Sequence, residues 1–172
     1  MVDKHTIIVM ISIIVITGSL GYSSINAISS PNLEFSWPGK SFNFLSVITD
    51  KTVNVCNPSI LPASFYKYSF TIIYEENDLG TFSTGRGTFA PNSDGVVFGK
   101  FDSPDNRMTG LFFSFFDTEQ GGIDVSRVNL DAIKVTTKLE STVLWVVPYV
   151  IVHDYSGTEF INLINKPTSC AK

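Results

Sequence analysis

Hydrophobic and polar residues alternate along most of the chain after residue 30, and this pattern predicts β-strands. The clearest case is residues 64–75, in which every second position is aromatic or aliphatic: Tyr66, Tyr68, Phe70, Ile72 and Tyr74. A period of two is typical of a strand with one face buried. Shorter alternating runs separated by turn residues predict seven to ten strands in all. No helical pattern lies between them, so we expect an all-β, antiparallel sandwich or barrel.

Three segments of the β-domain carry individual predictions of secondary structure. The apolar run at residues 108–116 predicts a strand covered on both faces, with an exposed, partner-binding aromatic patch as the alternative for its phenylalanines. Those phenylalanines are Phe112, Phe113, Phe115 and Phe116. Residues 42–48 predict another strand. Asn77 and Asp78, close to Gly80, predict the turn that follows the strand at residues 64–75.

The N-terminal segment has a different pattern. Residues 6–20 are nearly all aliphatic, and no Asp, Glu, Lys or Arg occurs from His5 to Leu33. With residues 21–28 added, the segment reaches the ~20 residues that cross a bilayer. Two interpretations stay open, a single-pass anchor and a secretory signal cleaved after a site such as Ser19-Leu20-Gly21. Both place the rest of the chain outside the cytoplasm, either held at the cell membrane or secreted.

These patterns divide the chain of 172 residues into three parts. Residues 1–28 are the anchor or signal segment, residues 29–32 are a short polar linker, and residues 33–172 are the β-domain. Charged residues make up only 16% of the chain and its formal net charge is -4. A nucleic-acid-binding protein would need a basic stripe, so we expect the membrane rather than nucleic acid as the partner.

An Asn-Pro step ends the apolar strand that precedes residues 64–75. Pro58 has no amide hydrogen, so the ladder of hydrogen bonds must stop there. Asn57 is held extended by the proline that follows it, and its side chain can bond backbone groups of the loop. The sequence therefore predicts a strand terminator at this step.

Residues 53–80 resemble the type-2 late-embryogenesis-abundant (LEA14-like) family, also called the water-stress and hypersensitive-response domain. The motif residues are Val53, Val55, Asn57, Pro58, Phe65, Tyr68, Tyr74, Leu79 and Gly80. The resemblance implies a fibronectin-III- or immunoglobulin-like β-sandwich without a catalytic site or cofactor. It also implies a stress-linked or membrane-tethered role.

Candidate chemistry is sparse. His153 is the one imidazole of the β-domain, and a Ser–His–Asp arrangement with Asp154 would have to draw on distant serines. One His and two Cys are too few for a zinc site or a blue-copper site. Calcium binds loop carboxylates, and the candidates for it are Asp102, Asp105, Asp117 and Glu119.

Cys56 and Cys170 are the two cysteines of the chain. An extracytoplasmic domain permits a disulfide between them, while two free thiols are the alternative.

Two functional hypotheses follow. The first is a non-enzymatic β-sandwich with a protective or interaction role at the membrane. The second is an extracytoplasmic module that binds a ligand or calcium through loop carboxylates.

Overall fold

The computed structural model describes residues 3–39, 41–49, 51–113, 129–143 and 147–170. The helices within these ranges are α1 (Lys4–Ser29), α2 (Ser46–Thr49), α3 (Asn106–Phe113) and α4 (Gly157–Ile164). The strands are β1 (Glu34–Ser36), β2 (Thr52–Asn57), β3 (Ala63–Phe65), β4 (Lys67–Tyr74), β5 (Asn77–Thr84), β6 (Gly87–Phe89), β7 (Ser93–Asp102), β8 (Ile133–Val143) and β9 (Val147–Ser156). Short 3-10 turns occur at Ser30–Asn32 and Leu130–Ala132.

Seven of these strands form one antiparallel sheet that curls into a half-barrel. Its order is β1-β2-β7-β5-β4-β8-β9, and β3 pairs with β6 in a separate antiparallel ribbon. The prediction of an antiparallel, mostly β fold with an N-terminal apolar helix is confirmed. Among the described strands, β1 and β9 lie at the two edges of the large sheet and have a strand neighbour on one side only.

The concave face of the sheet holds the hydrophobic core. Along β4, Tyr68, Phe70 and Ile72 are buried on this face, while Thr71 and Ile73 on the convex face are half-buried. The alternation in the sequence therefore corresponds to the two faces of the strand. Aromatic rings fill much of the core, and the rings of Phe70 and Phe82 stack with their centroids 5.1 Å apart.

The apolar run at residues 108–116 was predicted to be a strand, and this prediction is wrong for the residues that the structure describes. Residues 106–113 form α3. The Asp105 carboxylate accepts hydrogen bonds from the backbone N–H groups of Arg107 and Met108, as a helix N-cap does. Phe112 and Phe113 are buried in the core, whereas Phe115 and Phe116 lie outside the described residues.

Residues 42–48 were also predicted to be a strand, and they are not one. Phe42 and Phe44 are buried without strand pairing, and α2 begins at Ser46. The Asn43 side chain accepts a hydrogen bond from the Ser46 N–H at 2.7 Å. This local bond offers the backbone an alternative to a sheet ladder.

The hairpin between β4 and β5 turns two residues earlier than predicted. Tyr74 pairs with Asn77, and the two turn residues Glu75 and Glu76 have positive φ angles of 47° and 66°. Asn77 and Asp78 already belong to β5. A bulge follows at Leu79, so that Ile72 pairs with Gly80 and Ile73 with Asp78.

Gly80 is required by this bulge. Its φ is +141°, and a Cβ atom there would lie 2.5 Å from the Phe101 ring and 2.7 Å from the Asp102 carbonyl oxygen. Glycine is the residue that tolerates both the positive φ and the close approach.

Helix α1 is apolar but is not covered by the rest of the protein along most of its length. Residues 4–21 have a mean hydropathy of 1.7 and none of them is buried. The helix is long and apolar enough to cross a membrane, and a signal sequence has the same properties. Its last turn differs, because Asn26 and Ser29 are buried against the β-domain.

Candidate functional site

A cavity of about 360 Å³ lies between the two free edges of the curled sheet. Its walls come from β1, from the inner faces of β4, β8 and β9, and from α4 with the segment that follows it. Since β1 and β9 do not pair with each other, the gap in the half-barrel leaves room that side chains fill only in part.

The register between β8 and β9 determines which side chains form the inner wall of the cavity. Leu139 pairs with Ile151, Thr137 with His153 and Val135 with Tyr155, and directly paired residues share one face of a sheet. The β9 members of these pairs all line the cavity. The wall is therefore apolar towards Ile151 and polar towards His153 and Tyr155.

Helix α4 and the residues after it close the gap. A capping box begins α4, in which Ser156 and Glu159 exchange side-chain and backbone hydrogen bonds. Phe160 and Ile164 are buried, and the Ile164 carbonyl accepts a hydrogen bond from the Trp37 N–H at 2.9 Å. The helix thereby connects the β9 edge to the residue that follows β1.

Residues 166–170 cross β1 and are tied down twice. Both oxygens of the Glu34 carboxylate accept hydrogen bonds from Ser169, at 2.6 Å from its N–H and 2.8 Å from its hydroxyl. Cys170 forms a disulfide with Cys56 of β2, with the two Cα atoms 5.7 Å apart. Because Glu34 pairs with Cys56 in the sheet, both ties meet at one point.

Tyr68 stands at the inner end of the cavity. It is 5% exposed, and the Phe35 ring stacks on its ring with the centroids 3.9 Å apart. Its hydroxyl has no hydrogen bond with any residue that the structure describes. Burial raises the pKa of Tyr68 strongly, and the nearby Tyr155 adds to the rise. The sequence singled out Tyr68 as a residue of the alternating strand and of the family motif, but not as part of a cavity.

His153 does not form a hydrogen-bonded triad among the described residues. Its side chain is exposed on the cavity face of β9, whereas Asp154 is on the opposite face of the strand. Asp154 bonds the Thr136 hydroxyl at 2.6 Å and pairs with Lys134 at 3.0 Å. The Thr136 hydrogen bond, with help from Lys134, lowers the pKa of the Asp154 carboxyl.

The structure describes two of the four residues that were predicted as calcium ligands. Asp102 forms an exposed ion pair with Lys100, and Asp105 caps α3. Asp117 and Glu119 lie outside the described residues. In the part of the chain that the structure covers, no group of three or more His, Cys, Asp or Glu side chains could hold a metal ion.

Asn57 has the structural role that the Asn-Pro step predicted. The residue is completely buried and ends β2. Its amide nitrogen donates to the carbonyl oxygens of Leu61 at 2.9 Å and Ala90 at 3.0 Å. Its amide oxygen accepts from the Ser59 N–H at 3.1 Å. The side chain thus replaces the ladder that Pro58 interrupts.

A buried polar network joins α1 to the β-domain. The Asn26 amide oxygen accepts from the Ser64 N–H at 2.7 Å and its nitrogen donates to the Ser141 hydroxyl at 3.0 Å. Ser29 donates to the Pro62 carbonyl at 2.6 Å, and Ser30 donates to the Ser64 carbonyl at 2.7 Å. Ser29 and Ser30, the first two residues of the predicted linker, thus bond the β-domain directly.

Compared with models of known protein families and with curated proteins, the chain matches none.

Alternation along the strands did not predict a helix at residues 157–164, and without this helix the cavity has no closing wall. The signal was present, since Ser156 and Glu159 have the spacing of a capping box directly before an apolar run. A helix there would have been expected to cover part of the sheet.

Proposed function

We propose that the protein is a non-enzymatic β-domain of the LEA14-like type, held at the outer face of a cell membrane by α1, with a protective or interaction role. The observation that carries this proposal is the bare surface of α1. Ile11, Ile14 and Val15 are more than half exposed, and a row of such side chains in water is unfavourable by about 25 cal/mol per Å². Lipid is the environment that would cover them.

The junction of α1 with the domain is kept whether the N-terminal segment is an anchor or a cleaved signal. Cleavage after Gly21 would leave a helical remnant that still carries Asn26 and its bonds to Ser64 and Ser141. In a chain that retains the whole of α1, this network would hold the apolar helix directly to the β-domain.

The LEA14-like assignment is supported by what the motif residues do. Asn57 ends β2 and bonds the loop that follows, and Gly80 is the residue that the β5 bulge needs. We further infer that the two sheets form the two layers of a sandwich. In support, Phe65 of the small ribbon contacts Phe35 of the large sheet, with ring centroids 5.6 Å apart.

The absence of enzymatic activity is part of the proposal. Its support is that the His153 imidazole has no hydrogen bond or ion pair with any described residue, so nothing in that part of the chain orients it as a base. A general base must reach its partner within about 3.2 Å, directly or through one water.

The test is the fate of α1 in cells that express the full chain. We expect the protein to remain in the membrane pellet after alkaline carbonate extraction, with its N-terminus uncleaved. We also expect protease added to intact cells to digest the β-domain. A soluble, secreted chain that begins near Tyr22 would contradict the proposal and establish a signal sequence.

Two variants sharpen this test. Replacing Ile11 and Ile14 by Arg should release the chain from the membrane, because a charge at the centre of a span costs about 2.5–3.5 kcal/mol on insertion scales. Replacing Ser19 and Gly21 by Gln removes the small residues of the candidate cleavage site. If the protein is anchored, this double variant should behave as the unaltered chain does. If the N-terminal segment is a signal sequence, the variant should not be cleaved.

A further inference from the structure

The cavity between β1 and β9 contains a polar group that the described part of the protein leaves unsatisfied. Tyr68 is more than nine-tenths buried and lines the cavity. Its backbone N–H bonds the Thr84 hydroxyl, but its own hydroxyl bonds no described residue. Buried polar groups in native proteins nearly always have a partner, so an unpartnered hydroxyl that lines a cavity marks a place for a ligand atom.

We propose that this cavity binds a small, neutral, apolar molecule that carries a hydrogen-bond acceptor such as a carbonyl oxygen, and that the Tyr68 hydroxyl donates to this acceptor. This site is independent of how α1 meets a membrane. It also differs from the loop-carboxylate site that the sequence suggested.

The apolar part of the ligand follows from the walls. Leu139, Ile151 and Ile164 contribute aliphatic side chains, and the Phe35 ring covers the Tyr68 ring. The volume of about 360 Å³ lies at the small end of the range for ligand pockets, roughly 300–1,000 Å³. A compound of two fused rings with a short substituent has the appropriate size.

The neutrality of the ligand follows from the charges around the cavity. The acidic and basic residues of the lining are Glu34, Lys166 and the exposed His153. The Glu34 carboxylate is already bonded to Ser169, and Lys166 is exposed to solvent. Neither offers a buried counter-charge. Burial raises the pKa of Tyr68, and the same burial would disfavour a charged ligand group beside its ring.

The choice of an acceptor follows from the donor that is present. A neutral tyrosine hydroxyl donates one hydrogen bond. A carbonyl oxygen accepts it without a donor of its own that would need burial. Tyr155, which also lines the cavity, is half-buried and therefore serves as a second reporter of binding.

The experiment uses the full chain in detergent micelles, labelled with ¹³C at the ζ carbon of its tyrosines and titrated with 2-acetonaphthone. NMR follows each tyrosine directly, so partition of the probe into micelles does not mimic binding. We expect a saturable shift of the Tyr68 and Tyr155 signals while the signal of Tyr66, which is 67% exposed and outside the cavity, stays unchanged.

Two comparisons separate the hydrogen bond from the shape of the cavity. The variant Tyr68→Phe should weaken 2-acetonaphthone binding about three- to tenfold, the worth of one hydrogen bond, measured through Tyr155. It should not weaken binding of 2-ethylnaphthalene, which lacks the acceptor. Tyr66→Phe is the matched control and should bind both compounds as the unaltered chain does.

The variant should fold, because the lost hydroxyl has no hydrogen bond within the described structure. Equal weakening of both compounds by Tyr68→Phe would overturn the role of the acceptor. Shifts that rise without saturation, or that appear equally at Tyr66, would overturn the site itself.

Discussion

Asn26 is the residue on which the junction between helix and sheet depends. Its side chain bonds Ser30, Ser64 and Ser141 while only 8% of its surface is exposed. Loss of the Asn26 amide leaves the part-buried Ser64 N–H without its acceptor, at a cost of about 1–3 kcal/mol. We therefore expect Asn26→Ala to lower the free energy of unfolding by about that amount.

Urea unfolding of the full chain in micelles measures this loss. Asn32→Ala is the control, because the Asn32 amide donates a hydrogen bond to the Ile28 carbonyl but the residue is exposed. Its effect should stay within about 0.5 kcal/mol. Equal effects at the two positions would show that the buried network does not hold the junction.

Tyr68 should make the protein sensitive to alkali. Its pKa is raised in the folded state, whereas an unfolded tyrosine titrates near pH 10. The contribution of the neutral Tyr68 hydroxyl to the free energy of unfolding is therefore fully present below about pH 10. It is lost as the pH rises further, by at most about 1.4 kcal/mol per pH unit.

The comparison of Tyr68→Phe with Tyr66→Phe tests this pH dependence. Unfolding midpoints measured between pH 8 and pH 11 should fall less steeply in Tyr68→Phe than in the unaltered chain. Tyr66→Phe should follow the unaltered chain, because Tyr66 is exposed. Parallel curves for all three proteins would contradict the prediction.

The sequence predicted the role of Asn57 but not that of Tyr68. A proline fixes where a strand must end, so the asparagine before it has a local explanation. The unsatisfied hydroxyl of Tyr68 depends on Phe35, Tyr155 and α4, which are distant in sequence. No local pattern encodes a gap between two strand edges.

Among the elements, the β4–β5 hairpin carries backbone strain that can be relieved. Glu75 and Glu76 both have positive φ, a conformation that costs a non-glycine residue roughly 1–2 kcal/mol. Asn-Gly is the pair that such two-residue turns prefer. Replacing Glu75 by Asn and Glu76 by Gly should raise the free energy of unfolding by about 1 kcal/mol.

The control for the hairpin replaces both glutamates by Ala. This removes the same charges but leaves side chains that disfavour positive φ, so the gain should be absent. Urea unfolding of the three proteins measures the difference. A similar gain in both variants would show that charge repulsion, and not the backbone, destabilises the turn.

Helices α3 and α4 show why the sequence predicted β-strands well and short helices poorly. In both, a polar residue caps the first turn, Asp105 in one and Ser156 in the other. A run of eight residues holds too few turns for its helical period to stand out from a strand-rich background. The cap was the stronger signal at both positions.

At the scale of the whole molecule, the disulfide should be a large term in stability. Cys56 and Cys170 are 114 residues apart in sequence, and closure of such a loop is worth about 4–5 kcal/mol in the chain-entropy model. We expect reductant to lower the urea midpoint substantially. A variant with Cys56→Ala and Cys170→Ser should start at the lower midpoint and not respond to reductant.

The urea midpoint measured with and without reductant also tests whether the Cys56–Cys170 disulfide holds one wall of the cavity in place. Residues 166–169 are a wall of the cavity, and the bond at Cys170 is one of their two ties to the sheet. A midpoint that does not change with reductant would show that packing of α4 and the Glu34–Ser169 bonds hold this wall by themselves.

The sequence predicted the antiparallel sheet better than it predicted how α4 closes the gap between the two edges of that sheet. Alternation along the strands predicted an antiparallel sheet because each strand carries its own inside and outside. The gap between two distant strand edges, and its closure by α4, have no such local record. The cavity is a property of how the sheet curls, so it became visible only with the structure.

The junction at Asn26 has a consequence for where the β-domain would lie in the membrane-held form. The bare part of α1, residues 4–21, is about 27 Å long, against a hydrocarbon core of about 30 Å. A span slightly shorter than the core is matched by local thinning of the bilayer. Asn26, Ser29 and Ser30 bond the β-domain shortly after this span, so the domain would lie directly at the lipid surface and not at the end of a long tether.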